Sequence, residues 1–256
     1  MGKHLVRGAT SPPTTEPVRE RRRTLSRMRN EPVVLVHGLG SSFEHGWRAT
    51  GWVDLLDDAG RKVIPVDLLG HGTADAPHDP SEYAHLDAAL ELALPDDTVD
   101  AIGFSLGAQL LLRVAARRPE RFGRLVLIGA GQNVFRNDET HPLAEIFESG
   151  TEPDDITARV FVQLARSAGN DPRAIAACLR RPSDAFTPED AARVTCPTLV
   201  IIGDRDFAGP PEPLVDALAD AQLVVLRGID HFRTPSEFDC IDAALEFVEA
   251  VPPPAS

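Results

Sequence analysis

The stretch Thr98–Arg118, TVDAIGFSLGAQLLLRVAARR, decides the fold. Its short apolar run at Thr98–Gly103 predicts a buried strand, and Ser105–Arg118, which is apolar with a basic end, predicts a helix. The two are joined by Gly103-Phe104-Ser105-Leu106-Gly107, in which glycines flank a serine. Glycine lets neighbouring backbone approach without a Cβ clash, so we expect a tight strand–turn–helix unit that exposes the serine hydroxyl. The alternative is that Ser105 only caps the helix.

The same strand pattern recurs along the chain. Five further short apolar runs, each closed by a turn, predict parallel strands that are buried on both faces: Pro32–Val36, Lys62–Asp67, Leu125–Gly129, Thr198–Gly203 and Leu223–Arg227. Helical spacing at Trp52–Ala59 and Pro235–Ala250 falls between or after them. Alternating strands and helices predict the α/β class, with a doubly wound, mostly parallel sheet and right-handed crossovers.

One interval breaks this alternation and predicts an insertion. Residues 132–192 carry no strand signal, and the segments Ile156–Ala168 and Ala174–Leu179 have helical spacing. We expect a short helical lid over the strand ends at 132–192, inserted into a core formed by 31–131 and 193–251. Its apolar residues predict either a pocket lining or a small core of the lid itself: Leu143, Ile146, Phe147, Ile156, Val160, Phe161 and Leu164.

The charge of the chain is unevenly distributed. The net charge is −13, yet residues 1–30 hold eight Lys or Arg and two Glu, which leaves 18 basic and 37 acidic residues for 31–256. The basic segment 1–30 predicts a disordered arm, with a docking or targeting role as the alternative. An acidic body repels phosphate backbones and anionic lipid, so we expect neither nucleic acid nor membrane as a partner.

The remaining compositional features predict a cytoplasmic protein. We expect a monomer or a homodimer, and the sequence does not decide between them. No apolar stretch approaches the roughly 18 residues that span a bilayer, and the start of the chain does not resemble a secretory leader. The three cysteines, Cys178, Cys196 and Cys240, are scattered and odd in number. We therefore expect no disulfide framework and no zinc site.

A feeble strand signal at His4–Arg7 and Thr24–Met28 predicts at most a weak antiparallel edge of the sheet.

A serine hydroxyl is a poor nucleophile unless a neighbouring base removes its proton. His231 fits this role because Gly228-Ile229-Asp230-His231-Phe232 follows the last predicted strand. That places His231 at the carboxyl ends of the strands, the edge where the serine turn also lies. Five other histidines are interpreted as surface or packing residues: His4, His45, His78, His85 and His141.

An acid must orient the histidine, and it should follow a strand between the serine and the histidine in sequence. Gly203-Asp204-Arg205-Asp206 offers two carboxylates after the predicted strand Thr198–Gly203. We favour Asp206 and interpret Asp204 as a turn residue. Asp230 is the third candidate, but it adjoins the histidine and would have to fold back to reach its Nδ1.

These motifs resemble the landmarks of the α/β-hydrolase family, in the family's usual order, from about Pro32 to Val248. They are Val36-His37-Gly38-Leu39-Gly40, Asp67-Leu68-Leu69-Gly70-His71-Gly72, the serine pentapeptide, Gly203-Asp204-Arg205-Asp206 and Gly228-Ile229-Asp230-His231. The resemblance implies that the acid is the last residue of the Gly-X-X-Asp turn, Asp206. It also implies an oxyanion hole made by the backbone N–H groups of Leu39 and Leu106. His37 and His71 are then structural residues, although His71 could border the pocket.

A serine at this turn, where dehalogenases and epoxide hydrolases of the family carry aspartate, predicts acyl transfer to water. We expect a serine hydrolase that cleaves a carboxylic ester, lactone or thioester of a small, largely apolar acyl substrate through an acyl-enzyme on Ser105, without a cofactor. The alternatives are a C–C bond hydrolase, lyase or cyclase that uses the same triad, and a ligand receptor with negligible turnover. The sequence does not predict the substrate.

Overall fold

The computed structural model describes residues 29–136 and 142–251. Its sheet has six parallel strands in the order β2-β1-β3-β4-β5-β6. They are β1 Val33–Val36, β2 Val63–Val66, β3 Val99–Phe104, β4 Phe122–Ile128, β5 Thr198–Gly203 and β6 Ala221–Leu226. The predicted α/β class with a doubly wound, parallel sheet is confirmed. The weak edge predicted at His4–Arg7 and Thr24–Met28 lies outside the described residues.

Helices follow or separate the strands. They are α1 Trp52–Asp58, α2 Leu86–Ala93, α3 Leu106–Arg117, α4 Pro142–Ser149, α5 Ile156–Ser167, α6 Pro172–Leu179, α7 Pro188–Ala191, α8 Glu212–Ala217 and α9 Phe238–Phe247. The single helix predicted over Pro235–Ala250 is wrong at its start. A 3₁₀ turn at Thr234–Ser236 comes first, and Glu237 is extended at ψ 135° before α9 begins.

The sheet separates two apolar cores because successive side chains of a strand point to opposite faces. In β1, Val34 and Val36 join the core that contains α2, α3 and much of the 132–192 segment. Val33 and Leu35 join the other core, against α1 and α9. All four side chains are fully buried. The central strands are therefore apolar on both faces, which explains their continuous hydrophobic runs.

The expectation that every strand is buried on both faces is wrong for the two edge strands, β2 and β6. In β2, Pro65 is exposed. Leu223 and Val225 are 36% and 45% exposed, whereas Val224 and Leu226 pack into the core beside α9. β6 pairs only with β5 and lies at the end of the strand order. An edge strand is covered less completely than a central one, so an apolar run alone does not establish burial.

A buried charge cluster, which the sequence did not reveal, lies at the amino end of β3. The Asp100 side chain is fully buried and accepts hydrogen bonds from Arg61 Nη2 at 2.6 Å and Arg29 Nη2 at 3.0 Å. Arg61 also donates to the backbone carbonyls of Glu31 and Val248. The cluster thus joins the start of β1, the loop before β2 and the end of α9.

The segment 132–192 forms helices α4 to α7 and contains no strand among its described residues. Its apolar residues serve different purposes. Leu143 and Phe147 pack into the core on the α3 side of the sheet. Ile156 is 74% exposed, so it neither lines a pocket nor packs in a lid core; it is the first residue of α5, directly after the Asp155 cap. The domain limits themselves remain a prediction.

Candidate active site

The turn that carries Ser105 is sterically tight. Ser105 has φ 52° and ψ −112°, a region that side chains rarely occupy and that costs about 1–3 kcal/mol. A Cβ on Gly103 would lie 2.7 Å from the Ala108 amide nitrogen, and one on Gly107 would overlap the Val36 carbonyl oxygen. Both positions therefore require glycine. Ser105 precedes α3 but its side chain makes no capping hydrogen bond, so the N-cap interpretation is wrong.

Ser105, His231 and Asp206 form a continuous line of hydrogen bonds. The Ser105 hydroxyl donates to His231 Nε2 at 2.9 Å. His231 Nδ1 donates to the two oxygens of Asp206 at 2.8 and 2.9 Å. The three groups come from the turn after β3, the turn after β5 and the loop after β6. The carboxyl ends of three parallel strands thus bring together residues that are far apart in the chain.

Hydrogen bonding distinguishes the three candidate acids. Asp204 Oδ1 accepts the Gly228 N–H at 2.6 Å, so it ties two turns together, as predicted for a turn residue. Asp230 Oδ1 accepts the Arg233 N–H at 3.0 Å. Only Asp206, whose side chain is fully buried, reaches the imidazole among these three.

Three phenylalanines surround the imidazole, and sequence reasoning missed them. The ring centroids of Phe207, Phe104 and Phe232 lie 4.2, 4.9 and 5.5 Å from that of His231. Each phenylalanine is adjacent in sequence to one member of the triad, and this adjacency is the signal that could have identified them. They leave His231 only 1% exposed. Excluding water strengthens the electrostatic interactions inside the site.

Both predicted oxyanion donors lie in backbone positions suited to that role. As the first residue of α3, Leu106 has a backbone N–H that no carbonyl of its own helix can accept. The Gly38 carbonyl accepts hydrogen bonds from His37 Nδ1 at 2.8 Å and from the Ser41 N–H at 3.2 Å. Because a peptide group is planar, these bonds also fix the direction of the Leu39 N–H. The catalytic role of Leu39 and Leu106 stays a prediction.

The two buried histidines near this turn are held as neutral rings. His37 Nε2 accepts the Leu68 N–H at 3.1 Å, so its proton is on Nδ1, and burial lowers the pKa of His37. Burial, together with the neighbouring His37, lowers the pKa of His71 to about 3. His71 Nδ1 donates to the Leu69 carbonyl at 3.0 Å. Both neutral rings thus hold neighbouring backbone groups by hydrogen bonds, which agrees with their predicted structural role.

A cavity with about 170 Å³ of accessible space lies beside Gly38 and Phe104, the residue before Ser105, although the three triad residues do not themselves line it. Val160 and Leu164 of α5 line it, as one of the two interpretations predicted. His45, which is half-buried, lines it as well. The remaining wall is largely apolar and includes Trp47, Phe232 and Pro235. Phe161 instead packs edge-on against Phe232, with ring centroids 4.9 Å apart.

Two further observations concern the described residues only. Within 29–136 and 142–251, no group of three or more His, Cys, Asp or Glu side chains is placed to hold a metal ion. No helix in these two ranges combines the length and the hydropathy that crossing a membrane requires.

Comparisons with known proteins agree with this fold. Residues 31–154 match the family model described as the alpha/beta hydrolase fold. A 2-hydroxy-6-oxo-2,4-heptadienoate hydrolase from Pseudomonas putida is 41% identical over 106 residues, 39% of this chain and 37% of that protein. The chain thus matches little more than a third of that relative's length.

Two other similarities extend over most of the chain. A pimeloyl-[acyl-carrier protein] methyl ester esterase from Neisseria meningitidis is 28% identical over 81% of this chain and 76% of its own length. The crystal structure of a bromoperoxidase from Bacillus anthracis has a TM-score of 0.67 at 24% identity and covers 86% of this chain and 92% of its own. Together with the six-stranded parallel sheet, these similarities show that the chain has the α/β-hydrolase fold.

Proposed function

We propose that the protein is a serine hydrolase that cleaves a carboxylic ester through an acyl-enzyme on Ser105. The observation that carries this proposal is the unbroken line from the Ser105 hydroxyl through the His231 ring to Asp206. A serine becomes nucleophilic when a base accepts its proton, and a base keeps the correct tautomer when an acid holds its other nitrogen. Both requirements are met by side chains within hydrogen-bonding distance.

The first half of the reaction forms the acyl-enzyme. Ser105 Oγ attacks the ester carbonyl carbon while its proton moves to His231 Nε2. The carbonyl oxygen becomes an oxyanion and accepts hydrogen bonds from the Leu39 and Leu106 N–H groups. The tetrahedral adduct collapses, the bond from carbon to the alcohol oxygen breaks, and His231 gives its proton to the leaving alcohol.

The second half releases the acid. A water molecule attacks the acyl carbon and passes one proton to His231 Nε2, and the bond to Ser105 Oγ breaks as that proton returns to the serine. Asp206 remains ionised and stabilises the imidazolium that forms in each half. The fully buried Asp206 carboxylate and the phenylalanines around His231 keep this ion pair away from bulk water.

The cavity beside the nucleophile supports a small, largely apolar substrate. Its walls are mostly aliphatic and aromatic, and its polar side chains are those of His37, Ser41, His45, Thr50 and Ser236. Lactones and thioesters pass through the same tetrahedral oxyanion, so they belong to the same proposal. The resemblance to the methyl ester esterase over 81% of the chain favours an ester.

Hydrolysis of a carbon–carbon bond beside a carbonyl is the second candidate. The segment that is 41% identical to the 2-hydroxy-6-oxo-2,4-heptadienoate hydrolase favours it specifically. Such a reaction also needs an oxyanion-stabilising site, so the triad alone does not separate the two. Turnover of that dienoate without turnover of simple esters would establish the second candidate and overturn the first.

The test compares the wild type with Ser105→Ala on p-nitrophenyl acetate and butyrate, and on a fluorophosphonate probe. We expect the wild type to turn over both esters and to be labelled on Ser105, and Ser105→Ala to lose at least about 10³-fold in kcat/KM. Ser167→Ala, at an exposed serine outside the cavity, is the control and should keep its activity. A wild type that neither turns over nor reacts would favour the ligand receptor, and labelling without ester turnover would favour a lyase.

A further inference from the structure

The junction Gly169-Asn170-Asp171-Pro172, between α5 and α6, contacts the turn of the predicted oxyanion hole. Asn170 Nδ2 donates to the carbonyl oxygens of Gly40 at 2.8 Å and Ser41 at 3.0 Å. Asn170 Oδ1 accepts the Gly72 N–H at 2.8 Å. A single amide from the 132–192 segment therefore ties together the turns that follow β1 and β2.

The backbone of the junction is itself fixed at several points. The Asn170 N–H donates to the Ala165 carbonyl at 2.9 Å, and Gly169 has φ +73°, which together end α5. Asp171 Oδ1 accepts the Arg173 N–H at 2.9 Å at the start of α6, and its other oxygen is 2.7 Å from His78 Nε2. Asn170 is thus presented by the ends of two helices.

Close packing accompanies these hydrogen bonds. Gly40 has φ +75°, and a Cβ placed on it would lie 3.4 Å from the Ala165 Cβ of α5. Helix α5 therefore lies directly on the turn. The same helix supplies Val160 and Leu164 to the cavity wall, so one element contacts both the cavity and the predicted oxyanion turn.

Contacts within the turn relate Asn170 to the Leu39 N–H. Asn170 binds the Gly40 and Ser41 carbonyls, and the Ser41 N–H donates to the Gly38 carbonyl. Gly38 C=O and Leu39 N–H belong to one planar peptide group, so fixing the first orients the second. The other support of that carbonyl is His37 Nδ1 at 2.8 Å.

We propose that Asn170 is a positioning residue for the oxyanion hole, through which the 132–192 segment sets the direction of the Leu39 N–H. This inference rests on the proposed function. An oxyanion donor contributes only when it is aimed at the position that the oxyanion will occupy. Small misplacements remote from the reacting atoms cost up to about 100-fold in rate. The binding of an undistorted ester does not depend on that alignment to the same degree.

The test variant is Asn170→Asp, which keeps the shape and the acceptor for the Gly72 N–H but removes the donor to Gly40 and Ser41. We expect kcat on p-nitrophenyl butyrate to fall about 10- to 100-fold, with KM changed less than about threefold. The inhibition constant of a trifluoromethyl ketone, which forms a hemiketal oxyanion on the serine, should weaken by a similar factor. Asn170→Ser, whose short side chain cannot span both carbonyls, should show the same fall in kcat and the same weaker ketone inhibition. It replaces Asn170→Asp as the test variant if Asn170→Asp does not fold.

The matched control is Gln163→Glu, which makes the same change from amide to carboxylate at an exposed position of α5, where the amide donates to Ser167 Oγ at 3.2 Å. Its kcat and inhibition constant should stay within about twofold of the wild type. The proposal is overturned if both Asn170 variants keep wild-type kcat and ketone affinity, or if only KM rises, as for a residue of the pocket wall. Failure of the proposed function is a different result, because the wild type would then show no turnover and no ketone inhibition.

Discussion

Two buried carboxylates lie at opposite ends of the parallel strands, one at the amino ends and one at the carboxyl ends, and their hydrogen-bonding partners differ. The side chains of Asp100 and Asp206 are both fully buried. Asp100, at the amino end of β3, is bound by two guanidinium groups, Arg61 and Arg29. Asp206, after β5, is bound by His231 and by the Ala208 N–H at 2.8 Å.

The difference between the partners teaches what each carboxylate does. Guanidinium groups remain protonated at all ordinary pH values, so the Asp100 cluster can hold the fold together but cannot exchange protons. An imidazole changes its charge readily, so the Asp206 pair can support a proton transfer to and from Ser105. Burial raises the pKa of Asp100, and Arg61 and Arg29 act against that rise. We infer that one cluster is structural and the other is catalytic.

The largest expected effect comes from Asp206→Asn. Asparagine keeps the size of the side chain and an acceptor for the Ala208 N–H, but it no longer holds the His231 tautomer or stabilises the imidazolium. We expect kcat on p-nitrophenyl butyrate to fall about 10⁴-fold, while the free energy of unfolding changes by about 1 kcal/mol or less. Asp100→Asn is the counterpart and should keep kcat within about threefold. If Asp206→Asn and Asp100→Asn lost kcat to the same extent, the assignment of one cluster as catalytic and the other as structural would be wrong.

The next effect is on stability, and Arg61→Met tests it. Removing one guanidinium leaves the Asp100 carboxylate buried with too few partners, which costs about 3–5 kcal/mol. Urea denaturation should therefore show a much lower midpoint at unchanged kcat. Arg193→Met is the matched control, since Arg193 pairs with Asp190 on the surface and is 65% exposed. That variant should lose about 0.5 kcal/mol or less, and a similar small loss for Arg61→Met would contradict a structural cluster.

A smaller effect concerns acid stability, which the lowered pKa values of His37 and His71 predict. The unfolded chain takes up protons below about pH 6.5, whereas His71 in the folded state stays neutral until its pKa of about 3. Stability present above pH 6.5 is therefore lost as the pH falls toward 3, by up to about 1.4 kcal/mol per pH unit for His71, and the lowered pKa of His37 adds a loss in the same direction.

His71→Asn should reduce that slope by up to about 1.4 kcal/mol per pH unit between pH 6 and pH 4, as measured by urea denaturation at each pH. The asparagine amide can still donate to the Leu69 carbonyl, which His71 Nδ1 contacts at 3.0 Å. Gln163→Asn, at an exposed residue that does not titrate, is the control and should leave the slope unchanged. An unaltered slope in His71→Asn would show that the folded state protonates His71 near pH 6.5.

The strands, and the functional residues that directly follow a strand, were predictable from the sequence. The central strands are largely apolar because both of their faces are buried, and each candidate triad residue follows a strand end. The Gly-X-Ser-X-Gly spacing predicts that Ser105 lies in a tight turn between a strand and a helix. The turn requires both glycines because a Cβ at Gly103 or Gly107 would collide with backbone atoms.

The parts that depend on packing between distant segments were not predictable. Asp100 lies inside an apolar run, and nothing in the sequence shows that Arg61 and Arg29 converge on it. Asn170 is one polar residue in a helix junction, and its role depends on α5 lying over Gly40. Ile156 has the right spacing for a pocket wall, but a position at the exposed start of a helix overrides the pattern.

Mass spectrometry of the protein quenched in acid during turnover of p-nitrophenyl butyrate tests the central claim most directly. The account predicts a species heavier by one butyryl group, located on the peptide that carries Ser105, which accumulates in the wild type and is missing in Ser105→Ala. Turnover with the butyryl group on another residue, or undiminished turnover in Ser105→Ala, would contradict it.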